Sequence, residues 1–128
     1  MFTDLDKDPR EGGAPLTDER STLVEFLRCQ RLTLQLKCEG LDAEQLARRS
    51  VAPSTMSLLG LLRHMAEVER TWVRRRYARG EVPKRYQSVA EPDGDFDGAV
   101  ADPAVVEQAW AAWHEEVAFA EQFTRDNE

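Results

Sequence analysis

The feature that most constrains this chain is an apolar row, Leu58, Leu61, Leu62, Met65, Val68 and Trp72, set behind Ser57 and ahead of Gly80. Its spacing follows a helix of about 3.6 residues per turn and is incompatible with a strand, whose faces alternate at every second residue. Ser57 is placed to cap this helix. Two further rows have the same period. Leu23, Phe26, Leu27, Leu34 and Cys38 follow a Thr17 or Asp18 cap and stop at Gly40. Val106, Ala109, Trp110, Trp113, Val117 and Ala120 follow Asp102 and Pro103, a cap joined to a first-turn proline. Between the first two, Asp42 and Gln45 form a capping-box pattern for the short turn AEQLARR, which brings Leu41 and Leu46 to the core. The 7 glycines and 6 prolines gather in two places and set no strand-turn rhythm. An all-α helix bundle follows, and 128 residues suit one domain.

Residues 1–16 mix acids, prolines and a Gly-Gly pair without apolar periodicity, and read as a flexible N-terminal arm before a domain over 17–128. The segment from Gly80 to Asp102 has no sustained period and exceeds the ~12–15 residues usual for a structureless loop. It is expected to cross over the bundle between the second and third long helices. Arg63, Glu67, Arg70 and Arg74 lie opposite the second apolar row and read as its water-facing side. The rows are wide, and Phe119 and Phe123 add a flank to the third. Such breadth calls for a fourth helix, missing from this chain, or for a partner chain, and a homo-oligomer is the expectation.

Lys and Arg number 17 against 24 Asp and Glu, a net charge of −7 that disfavours binding to nucleic-acid backbones and anionic membranes. No apolar run reaches the ~20 residues of a spanning helix, and MFTDLDKDPREGG has no signal-peptide core, so the reading is cytoplasmic. Cys29 and Cys38 sit on opposite faces of one predicted helix about 13 Å apart in rise and read as free thiols, Cys38 the more buried.

His64 lies at the edge of the core-facing row, where an imidazole suits either a structural hydrogen bond or metal ligation. Glu67, one turn on, reads as the outer side. His114 flanks Trp110 and reads as packing or a surface hydrogen bond. Asp93-Gly-Asp95-Phe-Asp97-Gly98 imitates half a calcium loop, but the twelfth position is Ala104, so an acidic turn capping the crossover is the better reading. The arginines of RTWVRRRYARG read as a solvated helix end, whereas Glu69 and Gln30 project near the core rows and need polar partners.

DERSTLVEFLRCQRLTLQLKCEGLDAEQL followed by PSTMSLLGLLRHMAEVERTWVRR, with the DFDG loop at Asp95 to Gly98 and the Trp-rich third helix, resembles the DinB-like superfamily, closest to an actinobacterial branch of unknown function. The most specific element is Ser57-Leu58-x-x-Leu61-Leu62-x-His64. The resemblance implies an antiparallel four-helix bundle with a long connection between helices two and three. It also implies a divalent metal, nickel or zinc in type, held by three histidines that activates a low-molecular-weight thiol of the mycothiol kind, or water. One ligand maps onto His64; the other two form a His-x-x-x-His pair on the fourth helix. No such pair occurs here, so the metal site is expected to be incomplete. Two functions stay open at this level: a protein related to metal- and thiol-dependent transferases or hydrolases, and a non-catalytic bundle that acts by self-association or by binding a partner helix.

Overall fold

The computed structural model describes residues 4–127; the first three residues of the expected arm and Glu128 lie outside the described residues. Among the described residues, five α-helices, a π-helical stretch and a short 3-10 turn at Leu5–Lys7 account for the regular structure, and no strand occurs. The chain is all-α, as the periodicity requires. No helix among the described residues is long and apolar enough to cross a membrane.

Two compact units divide at Gly40. The first holds helix α1, Glu19–Cys38. Asp18 caps it by accepting from the Ser21 amide at 2.7 Å, and the Ser21 hydroxyl reciprocates on the Asp18 amide. Gly40, at φ +77°, ends it in the left-handed region where a side chain would be strained. Arg28 on α1 donates to the carbonyls of Pro9 and Arg10 at 3.0 and 2.9 Å. Cys38 is buried, but Leu23, Phe26 and Leu27 of the expected core row are exposed, as is Gln30. The physical reason lies within the unit itself, which has no second long helix against which such a row could be buried.

The second unit contains α2 (Ala43–Ala47), α3 (Leu58–Glu69), α4 (Gly94–Asp97) and α5 (Pro103–Asp126). The caps fall where the side chains allow them: Asp42 with Gln45, Ser57 accepting from Gly60 at 3.0 Å, and Asp102 accepting from Ala104 at 2.9 Å ahead of Pro103. α3 continues without a break into wider, π-helical turns over Arg70–Tyr77, closed by the Ala78 amide on the Val73 carbonyl at 2.8 Å. α3 packs on α5, α4 and α2. The core consists of Leu46, Leu59, Leu62 and Ala66 against Ala109, Ala112, Trp113 and Ala120.

α3 is turned relative to the expectation. Its buried face runs through Leu59, Leu62, Arg63, Ala66 and Glu67, while Leu58, Leu61, Met65 and Val68 are half-buried and Trp72 is exposed. Arg63 and Glu67 are therefore not water-facing, and Arg70 and Arg74 end in ion pairs with the buried Glu116. The crossover causes this. It lays main-chain N–H and C=O groups over α3, and buried backbone groups must find partners, which an apolar face cannot supply. Leu62→Ala should accordingly cost the second unit about 3 kcal/mol and Trp72→Ala under about 1 kcal/mol in denaturant unfolding.

Candidate functional site

The site forms where the end of the crossover meets the middle of α3. Asp95 stands in α4, a single helical turn whose flanking glycines permit close packing. A Cβ on Gly94 would collide with the Tyr86 carbonyl, and one on Gly98 would stand 2.5 Å from the Arg63 guanidinium. On α3, a Cβ on Gly60 would lie 2.7 Å from the Phe96 ring. The Gly98 and Gly60 approaches seat the turn against the helix, and the Gly94 approach seats it against the crossover. Asp95 is thereby taken out of water almost completely, at 1% exposure.

A buried carboxylate requires donors, and Asp95 has three. The Phe96 amide reaches Oδ1 at 3.0 Å, Gln87 Nε2 reaches Oδ2 at 3.1 Å, and His64 Nδ1 meets Oδ2 at 2.6 Å. Because the carboxylate accepts from all of them, the neutral His64 ring carries its hydrogen on Nδ1 and presents the Nε2 lone pair. Phe96 packs on the imidazole with centroids 5.2 Å apart, while about a third of the side chain, 35%, stays open to solvent. An oriented imidazole with one free nitrogen can accept a proton from a bound group, or ligate a cation.

Around this pair the polar face of α3 is spent on the crossover. Arg63 donates through Nε to the Asp95 carbonyl at 2.7 Å and through Nη2 to the Gly94 carbonyl at 2.9 Å, with its guanidinium 4.0 Å from the centre of the Tyr86 ring. Burial draws its pKa downward. Burial also raises the Tyr86 phenol, which donates to Gln108 on α5 at 2.7 Å. Glu67, expected on the outer side, is instead buried at 2% exposure, and its Oε2 accepts the Arg85 and Tyr86 amides, each at 2.9 Å. Its Oε1 is buried with no hydrogen-bond partner.

Further along α3 and its π-helical extension, Arg70, Arg74 and the crossover's Arg85 converge on Glu116 at 2.7, 3.0 and 3.0 Å. RTWVRRRYARG is thus only partly a solvated end. Burial pushes the Glu116 carboxyl up, the three guanidiniums outweigh it, and the net pKa falls below its ordinary value of 4.5. His114 is exposed and stacks on Trp110, with centroids 5.5 Å apart at 18°. Both cysteines are free thiols; Cys38 is the buried one, and desolvation pushes its pKa up to about 11. Among the described residues no group of three His, Cys, Asp or Glu side chains could hold a metal ion.

The sequence singled out His64, but Asp95, Arg63 and Glu116 escaped it. A signal for Asp95 was present: Gly94 and Gly98, bracketing Asp95 and Asp97 in an otherwise aperiodic crossover, mark a close backbone approach. A depressed Glu116 carboxyl stabilises the fold fully above about pH 4.5, and that contribution is lost as pH falls through the lowered folded value. The thermal midpoint of the wild type should drop on acidification through that range. Glu116→Gln should flatten the dependence and cost about 3 kcal/mol at neutral pH.

Compared with known proteins, residues 22–128 match a family model described as mycothiol-S-transferase. No curated protein and no solved structure gave a match.

Proposed function

The chain belongs to the mycothiol-S-transferase family, a DinB-like family, and we propose that it transfers a low-molecular-weight thiol of the mycothiol kind to an electrophilic acceptor, with His64 at the reacting centre. The observation that carries this reading is the 2.6 Å contact of His64 Nδ1 with the buried Asp95, which leaves Nε2 directed away from its anchor. In the proposed step the thiol S–H proton passes to Nε2 and Asp95 stabilises the resulting imidazolium. The thiolate sulfur then forms a bond to the acceptor carbon, and the departing group leaves with the bonding electrons and recovers the proton from Nε2.

The superfamily resemblance assigns His64 to a nickel- or zinc-type ion. As a single ligand His64 fits, since a carboxylate on Nδ1 is the usual support of a ligating imidazole. As a set the described residues do not fit, because no second and third ligand stand beside it.

The test is turnover of mycothiol with monochlorobimane. His64→Ala should reduce kcat by about 10²–10⁴-fold. Asp95→Asn should reduce it by about 10–100-fold. Wild-type turnover no faster than that of His64→Ala would refute the reading. Titration with nickel or zinc, followed calorimetrically, reports independently on ligation by His64.

One observation favours a second reading, association with another helix through α1. Leu23, Phe26 and Leu27 of that helix are 63%, 60% and 46% exposed. An apolar row of that extent in water is a contact surface. Light scattering should then find a dimer or larger species that Leu23→Glu with Phe26→Glu converts to monomer, and a wild-type monomer would count against it.

A further inference from the structure

We infer that Arg63 is a positioning residue for the His64 imidazole, acting at a distance by fixing the two carbonyls that set where the Asp95 carboxylate stands. The inference builds on the reading of His64 as the reacting group and goes beyond it, because Arg63 reaches Asp95 through its main-chain carbonyl and not through the carboxylate that meets the imidazole.

The unusual feature is how a buried guanidinium is satisfied. Arg63 is only 9% exposed, and a cation removed from water ordinarily faces a carboxylate. Here its donor bonds go to successive main-chain carbonyls, Gly94 at 2.9 Å and Asp95 at 2.7 Å, and the flat of the group lies 4.0 Å from the centre of the Tyr86 ring. The neighbouring Asp95 carboxylate does not pair with it; its oxygens are taken by His64, Gln87 and the Phe96 amide. Arg63 therefore grips the turn and leaves the acid's oxygens to other groups.

The fork geometry explains why arginine is used. Two donors held rigidly in one plane fix both the position and the rotation of a single helical turn, whereas an ammonium would supply one pivot. The turn is too short to hold itself: α4 spans only Gly94–Asp97. Gly98 completes the fit, since any Cβ there would meet Nη2 at 2.5 Å. Arg63 and His64 are also consecutive on α3, so one rigid helix carries both the imidazole and the group that places its partner.

The experiment reads geometry separately from turnover. Imidazole nitrogen NMR of the full-length protein should find the neutral His64 ring of the wild type mainly protonated on Nδ1. Arg63→Met, Arg63→Lys and Gly98→Ala should each move it toward the Nε2–H form in the direction seen for Asp95→Asn, while circular dichroism retains its helical signal. Gly98→Ala keeps the charge and displaces the fork, with a lesser crowding of the Gly94 carbonyl at 3.0 Å. In turnover with mycothiol, Arg63→Lys should lower kcat about tenfold and leave KM for the thiol within about twofold. An unchanged His64 tautomer in folded Arg63→Met or Gly98→Ala overturns the inference.

If those variants fail to fold, the wild type decides. The Arg63 Nε–H should be protected from solvent exchange and show coupling across its hydrogen bond to the Asp95 carbonyl; a freely exchanging Nε–H overturns the inference. A shifted tautomer in a protein whose wild type lacks thiol turnover would uphold the positioning role and refute the thiol-transfer reading, so the two fail separately.

Discussion

The second unit depends on one requirement, that a long crossover laid over a helix must have its main-chain groups satisfied. Glu67 accepts two of its amides and Arg63 donates to two of its carbonyls, both from the same face of α3. Without them the segment would bury unpaired N–H and C=O groups, each costing about 1–3 kcal/mol. The remaining features follow. α3 must turn its polar side inward, the apolar row must shift to Leu59, Leu62 and Ala66, and the turn that carries Asp95 is brought to His64.

That requirement also marks where sequence reasoning held and where it stopped. Asp18, Asp42, Ser57 and the Asp102-Pro103 pair were legible because capping is chemistry between residues two or three positions apart. The α5 row was legible because Ala109, Trp113 and Ala120 repeat strictly and pack on a helix. The orientation of α3 was not. Hydrophobic periodicity assumes that a buried face is an apolar face, and Arg63 and Glu67 break the assumption because their partners are backbone atoms eighteen to thirty-two positions away. Asp95 lay in a motif resembling a calcium loop, and nothing local reveals that its carboxylate turns inward to an imidazole on another element.

The charges show a similar division of labour. Arg70, Arg74 and Arg85 surround one buried carboxylate on α5, with Arg74 also lying over the Phe119 ring at 4.0 Å. Two of these arginines come from the π-helical stretch and the third from the crossover, so Glu116 joins three segments at one point. A buried charge surrounded in this way contributes more to which arrangement forms than to how stable it is, because desolvation offsets much of the Coulombic gain. The crossover is thus fastened at Glu116, at Glu67 and at Arg63, and His64 lies on the helix beside Arg63.

Cys38 bears on the chemistry from a different side. A thiol pushed up to about 11 by burial has roughly one molecule in ten thousand as thiolate at neutral pH, and only the thiolate is nucleophilic. For a protein whose family is defined by handling a small thiol, that sulfur is an inert bystander. Burial thus keeps this sulfur a poor nucleophile, toward electrophiles and toward disulfides alike.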